Sequence, residues 1–353
     1  MSAQSIPVIE IPAKDLNHFD PNNFSFGKNF TNYMLEAEYN DGAWKNAVIK
    51  KFQPLSLDPS TAALHYGQTI FEGIKAFKNE KGEVVIFRPD QNFIRFNTSA
   101  ERMGMPMVPD WLFMEGMKQL VALEKDWIPN IPEASLYIRP FMIATDPFLG
   151  VRPSLTYKFM IILGPSGPYF SAPMKILIEE KYTRATPGGV GFAKNGGNYG
   201  GSLYPVALAQ EKGYDQVLWT DAIEHKLVEE VGMMNVMFVI DGKVITPSVE
   251  RGTVLKGVTR NSAIILLRDM GYEVEERNLA VTEIVEAHKK GLLQEVFGVG
   301  TAAVVSYISK LAHEDYVMDF DVAALKVAPA LKKRLNDLRM GNIPDNHGWL
   351  TKL

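Results

Sequence analysis

Apolar and polar residues alternate from Tyr33 to Phe52 and again from Ala76 to Phe87. Each run is interrupted by a turn signal, Asn40-Asp41-Gly42 in the first and Lys81-Gly82 in the second. Period-two alternation across such turns predicts antiparallel hairpins. The period then lengthens. Asn92 to Met103 and Asp110 to Lys125 space their apolar residues three and four apart, which predicts helices, while Ser135 to Ile143 and Tyr157 to Leu163 read as strands. A Pro/Gly/Ser stretch follows from Gly164 to Pro173, the one such cluster in mid-chain, and marks an expected domain boundary. The second half opens with a strand at Met174 to Glu180. A helix carrying Leu203, Val206 and Leu208 stops at Gly213, and Asn235 to Ile240 faces Val244 to Thr246 across Asp241-Gly242. A helix from about Thr259 ends at Gly271, another covers Thr282 to Lys290, and an apolar strand surrounds Glu295-Val296-Phe297. The reading is α+β in two domains: a smaller N-terminal domain over 1–163, a linker over 164–173 and a larger C-terminal domain over 174–353.

Composition narrows the chemistry more than the fold. The 353 residues exceed the size at which one core keeps growing, and 46% apolar with 22% charged residues describes an ordinary globular chain. Lys and Arg total 37 against 41 acids, for a net charge of -4, so no basic face tracks a nucleic acid. Cysteine is absent, which removes disulfides, thiolate metal sites and thiol nucleophiles. The six histidines show no metal-ligand spacing, and no metal is expected. No stretch is apolar enough to span a membrane, and the polar, acid-containing segment Met1 to Asp20 resembles neither a signal nor a transit peptide. The expected location is the cytoplasm.

The segment Gly188 to Gly201 sets Lys194 among seven glycines just ahead of a helix-forming run. Glycine lets backbone approach a ligand closely, and a lysine desolvated in such a collar is a candidate Schiff-base nucleophile. The same pattern also suits a solvated surface loop or a phosphate-cradling loop, although Asn195 stands where a phosphate loop has Ser or Thr. Three later features complement a lysine-bound, anionic aromatic cofactor. Val228-Glu229-Glu230-Val231-Gly232 puts carboxylates at the edge of an apolar strand, where one meets a pyridinium nitrogen or the pair forms a solvated turn. Lys256-Gly257-Val258-Thr259-Arg260 lies at an expected helix N-terminus, where backbone N–H groups favour an anion. Phe297-Gly298-Val299-Gly300-Thr301-Ala302 follows a strand with small residues that offer backbone N–H groups and a hydroxyl, or make a tight turn.

In order, the segments LHYGQTIFEGIKAF (64–77), FRPDQNFIRF (87–96), ASLYIRPFMIATDPFLGV (134–151), GPYF (167–170), GFAKNGGNYG (191–200), DQVLW (215–219), VEEVGMMN (228–235), GVTR (257–260) and EVFGVGTAAV (295–304) resemble the branched-chain amino-acid aminotransferases, of the fold-type IV class of pyridoxal-phosphate enzymes. The resemblance covers nearly the whole chain. It implies a two-domain fold-type IV architecture, pyridoxal 5'-phosphate as cofactor, and reversible transamination of leucine, isoleucine or valine with 2-oxoglutarate. It assigns Lys194 to the Schiff base, Glu230 to the pyridine nitrogen and Tyr199 to the cofactor's phenolic oxygen. Arg95, Val258, Thr259 and Thr301 fall to the phosphate. Substrate falls to Thr301 and Ala302 for its α-carboxylate, and to Tyr66, Phe71, Tyr137, Arg139 and Tyr169 for its side chain, with Arg139 meeting the second carboxylate of glutamate. Leu149 and Val151 match a loop that the family inserts into its neighbour's site, which implies a homodimer. Two positions depart from the family pattern: Met233 stands where a threonine is usual, and Val304 to Tyr307 lacks the Cys-x-x-Cys of mammalian relatives. Other fold-type IV activities, a D-amino-acid transaminase or an aminodeoxychorismate lyase, are the nearest rivals. A nucleotide-binding module using the lysine loop is a more distant one.

Overall fold

A computed structural model describes residues 5–79, 81–131, 133–167 and 172–353. The chain divides into two compact units. The first holds residues 1–169, 193–196 and 337–353, and the second holds 170–192 and 197–336.

The first unit is built on an eight-stranded sheet. Along it run Leu350–Lys352, Val84–Phe87, Ile74–Lys78, Ser135–Ala144, Tyr157–Ser166, Tyr33–Asn40 and Ala43–Lys51, and the short strand Thr69–Phe71 pairs with Ser135–Ala144. Both predicted hairpins are present. Asp41 and Gly42 both take positive φ, the geometry that matches the twist of a two-residue hairpin. Alternation decides which face is buried. Leu136, Ile138, Met142 and Ala144 point into the core with Ile74, Ala76, Ile86, Phe96 and Phe113, so Tyr137, Arg139 and Phe141 point the other way.

The helix predicted from Asn92 starts at Pro89, whose fixed φ suits a first turn, and ends at Arg102. The run from Asp110 is not one helix. Trp111–Glu115 is a wider π-type turn leading into Gly116–Leu123, and at that junction a Cβ on Gly116 would fall 2.5 Å from Leu35 Cδ1.

The second unit carries a nine-stranded mixed sheet. Its order is Val228–Val231, Gln216–Thr220, Met174–Glu179, Val304–His313, Leu293–Gly300, Met234–Ile240, Lys243–Thr246 and Val274–Glu276, with Tyr316–Asp319 beside Val304–His313. A further pairing between Val228–Val231 and Met234–Ile240 closes six of these strands into a ring. The glycines of Phe297-Gly298-Val299-Gly300 lie inside the strand Leu293–Gly300 rather than after it. They are small for a packing reason, since a Cβ on Gly298 would fall 2.8 Å from Met234 Cε and one on Gly300 3.2 Å from Met234 Cγ.

The helix Val327–Arg339 is anchored from that same strand. The buried Glu295 carboxylate accepts the backbone N–H groups of Lys326 at 2.6 Å, Val327 at 2.8 Å and Ala328 at 2.9 Å. These donors have no partner within their own helix, and the helix dipole favours an anion there. Glu295→Ala is expected to cost about 3 kcal/mol, because it strands three donors, two of them buried. The midpoint of urea unfolding measures it, and a change under about 0.5 kcal/mol would contradict the anchoring role.

Candidate active site

In the first unit Lys194 is held by its backbone. Its N–H donates to Ser99 Oγ at 2.9 Å, its carbonyl accepts the Phe71 N–H at 3.0 Å, and Asn195 bridges to Ile70. These bonds explain why Ala193–Gly196 counts with the first unit although the chain on both sides belongs to the second. Close approach also explains one glycine of the collar, since a Cβ on Gly196 would fall 2.5 Å from Thr69 Oγ1.

The Lys194 ammonium lies 5.0 Å from the centre of the Phe71 ring, and the Arg139 guanidinium lies 4.6 Å from the same ring. Arg139 also stands 5.3 Å from the Tyr137 ring and donates from Nη2 to the Tyr137 hydroxyl at 3.0 Å. Its Nε is buried without a hydrogen-bond partner. Tyr137 is itself fixed. A Cβ on Gly73 would fall 2.1 Å from its hydroxyl oxygen, and Phe26 meets its ring edge-on at 4.9 Å. Phe26 was not legible in the sequence, because it sits in an irregular, half-polar N-terminal stretch with no periodic signal.

Arg95, expected at a phosphate, forms a two-pronged ion pair with fully buried Glu72, Nε to Oε1 and Nη2 to Oε2, both 2.7 Å. Asn92 Nδ2 donates to Glu72 Oε2 at 2.7 Å. Burial alone would raise the Glu72 carboxyl, but the charge and hydrogen bonds of Arg95, with the charge of Lys194, outweigh it and hold the group below the usual range. Glu72 thus links the lysine to the arginine, a role unseen in the sequence, where it is one acid in Phe71-Glu72-Gly73. Tyr66 closes the helix Ala62–Tyr66 and donates its hydroxyl to the Leu149 carbonyl. Tyr169 lies outside the described residues.

In the second unit three expected features converge along neighbouring strands. Glu230 pairs in register with Asn235, and Asn235 with Val299, two residues before Thr301. Glu230 Oε1 accepts from the Leu255 N–H at 2.7 Å and from Asn235 Nδ2 at 3.2 Å, and Oε2 faces Arg184 Nε at 3.1 Å. Asn235 Nδ2 also donates to the Leu255 carbonyl at 2.9 Å, and a Cβ on Gly257 would fall 2.0 Å from Asn235 Oδ1. The N-terminus of the 12-residue helix Val258–Asp269, with buried Val258 and Thr259, is therefore packed beside Glu230. Arg184 is held by the Thr253 carbonyl and was not anticipated, since nothing in the sequence couples it to a glutamate so far along the chain.

Thr301 and Ala302 occupy the turn between Leu293–Gly300 and Val304–His313. Val304 closes it with φ of 60°, a conformation unfavourable for a β-branched residue and of the kind retained at functional turns. Tyr199 sits in the short helix Gly196–Gly200, and its carbonyl accepts from Ser202 Oγ at 2.7 Å. Met233 is half exposed beside Gly232, which has φ of 53°.

Glu229, next to Glu230 in the strand, is almost fully buried, with no hydrogen bond of normal geometry to either carboxyl oxygen. Burial raises it from 4.5 to about 6, offset only in part by the Thr253 hydroxyl and the Arg184 charge. The folded protein therefore binds more protons than the unfolded chain between these values, and stability is lost as pH rises through about 6. The loss levels off at about 2 kcal/mol. Glu229→Gln is expected to remove that fall, seen as urea midpoints that agree more closely at pH 4.5 and pH 7.5 than those of the parent. An unchanged pH dependence would contradict the assignment.

The chain matches the amino-transferase class IV family over residues 69–311. It is 45% identical to branched-chain-amino-acid aminotransferase 2 of Bacillus subtilis, over 100% of this chain and 98% of that protein. Among solved structures, the branched-chain amino acid aminotransferase of Escherichia coli superposes with a TM-score of 0.71 at 25% identity, covering 90% of this chain and 98% of the other. That of T.th., complexed with N-(5'-phosphopyridoxyl)-L-glutamate, gives 0.72 at 28% identity, covering 89% and 97%. The two-unit α+β fold, the lysine collar and these relatives together establish that the chain is an aminotransferase of the class IV family, on its branched-chain-amino-acid branch.

Proposed function

We propose that Lys194, Glu230 and Arg139 carry the transamination of leucine, isoleucine and valine with 2-oxoglutarate, with pyridoxal 5'-phosphate as cofactor. The observation that supports this most directly is the Phe71 ring, approached by the Lys194 ammonium on one hand and the Arg139 guanidinium on the other.

The residues suit the cofactor. Glu230 is a buried carboxylate whose Oε1 is committed to the protein and whose Oε2 has Arg184 as its counter-ion, the setting in which a carboxylate holds a protonated ring nitrogen. Beside it, the backbone N–H groups of Val258 and Thr259 at a helix N-terminus suit a phosphate. We assign the remaining phosphate contacts to Arg95 and the Thr301 hydroxyl, and the phenolic oxygen to Tyr199. When bound, pyridoxal phosphate supplies an electron sink for the bond to the substrate's α-hydrogen.

Lys194 would hold the cofactor covalently and, once displaced by the substrate's amine, its own freed amine would take up and return the proton at the substrate's α-carbon. Its backbone tethers to Ser99 and Phe71 position that amine. Thr301 and Ala302 bind the α-carboxylate through their strained turn.

The side-chain pocket must take both an isobutyl group and a propionate. Phe71, Tyr137 and Tyr66 offer apolar surface to the first, and Tyr169 joins them in this assignment. Arg139 meets the second: it stacks on aromatic rings, and no carboxylate pairs with it among the described residues, so a substrate carboxylate is its counter-ion. The loop from Phe148 to Leu155 leaves Phe148, Leu149, Val151 and Leu155 exposed, with Val151 at 87%. Contiguous exposed apolar residues of this kind favour burial against a partner, which supports a homodimer.

Arg139→Ala is expected to lower kcat/KM for glutamate and 2-oxoglutarate about 100-fold, since it removes a charge-assisted partner. Leucine should lose less than about 10-fold, which is the scale of lost packing alone. Steady-state kinetics on both substrate classes measures it, and equal losses for the two would overturn the role given to Arg139.

A further inference from the structure

The sheet face that carries Tyr137 and Arg139 also carries a second group of cations. Ile74 and Ala76 point into the core, so Lys75 and Phe77 lie on the opposite face, with Lys75 in register with Tyr137. On the neighbouring strand Ile86 is in the core and Phe87 shares the Phe77 face. Arg339, at the end of the helix Val327–Arg339, brings its guanidinium 4.5 Å from the Phe87 ring and 5.7 Å from the Phe77 ring. Arg88 lies 4.6 Å over Trp349, which meets Phe87 edge-on at 5.9 Å.

Arg339 is 2% exposed and Lys75 4%. Arg339 Nε and Nη1 are buried without a hydrogen-bond partner, and the group is held down to about 10 by burial alone. Lys75 is held down to about 7, first by burial and then by the Arg339 charge, against the weaker opposing pull of Glu133. Lys75 shares a face with Phe77, on whose ring Arg339 also bears, so two like charges lie buried on one sheet face, which is costly. A lysine escapes by losing its proton, but a guanidinium does not. The last carbonyls of its helix give Arg339 only partial negative charge. Aromatic faces stack on the guanidinium plane but leave its in-plane N–H groups without an acceptor.

We propose that Lys75 and Arg339 form a binding site for a small oxyanion, of the carboxylate or phosphate class, walled by Phe77 and Phe87. Its oxygens accept from Arg339 Nε and Nη1 and from the Lys75 ammonium. None of these four residues is among those assigned to the cofactor or to the substrate, although Lys75 is paired in register with Tyr137.

The test follows thermal unfolding of the cofactor-loaded enzyme against sodium phosphate and, separately, sodium acetate, each compared with sodium chloride at matched ionic strength. Loading with cofactor keeps free phosphate from being read at the cofactor's own phosphate contacts. Tm is expected to rise by a few degrees with the logarithm of oxyanion concentration, beyond any rise in chloride. Arg339→Met and Lys75→Gln should each abolish that excess while retaining the visible spectrum of bound cofactor. A rise in phosphate alone assigns the site to inorganic oxyanions, and a rise in acetate alone to carboxylates. No excess over chloride, or an excess that survives both substitutions, overturns the proposal. Should either variant fail to fold, the parent titration and the other variant still decide.

Discussion

The hydrogen bond from the Phe71 N–H to the Lys194 carbonyl sets where the backbone of that lysine stands, and most of the first unit's candidate site follows from it. A lysine side chain is long and loses much rotamer freedom on being positioned, so its placement depends on a backbone that does not drift. Here the backbone is tied from two directions, by the edge of the strand Thr69–Phe71 and by Ser99 on the helix Pro89–Arg102. Phe71 then serves twice. Its N–H holds the lysine backbone, and its ring carries the Arg139 guanidinium, to which we assign the charged side chain of the substrate. The next residue, Glu72, ties that strand to Arg95 in a buried ion pair and adds a favourable charge toward Lys194. Three consecutive positions, Phe71, Glu72 and Gly73, thus order the lysine, the arginine pair and Tyr137.

Buried charge is distributed unevenly across the molecule, and the unevenness separates structure from chemistry. Glu72 and Glu295 are matched by abundant donors and act as fixed anchors. Glu230 accepts hydrogen bonds on Oε1 and faces Arg184 with Oε2, a buried carboxylate suited to a ligand with a proton to share. Glu229 and Arg339 have burial without adequate compensation. Partly satisfied polar groups of this kind are costly in a low-dielectric interior and accumulate where a fold gives up stability for function.

Much of the fold was legible because its elements follow simple periods. The hairpin at Asp41-Gly42 and the helices beginning near Asn92 and Thr259 lie within a few residues of their expected places. The closing strand Leu350–Lys352, which pairs with Val84–Phe87, was not legible, because three residues carry no period and the partner lies at the far end of the chain. The candidate site divides the same way. Lys194, Glu230 and the helix start at Val258 stood out through local composition. Arg184, Glu72 and Phe26 did not, because each acts through a contact distant in sequence. The glycines before Thr301 were visible but suggested an anion loop, whereas the strand keeps them small for Met234.

The central claim is that Lys194, among all the lysines of the chain, holds the cofactor. Borohydride reduction of the enzyme purified with pyridoxal phosphate, followed by peptide mapping by mass, tests it directly. The expected result is a yellow protein that L-leucine bleaches, with the reduced phosphopyridoxyl mass found on the peptide bearing Lys194. Label on another lysine such as Lys75, or a protein that stays colourless with added pyridoxal phosphate, would contradict it.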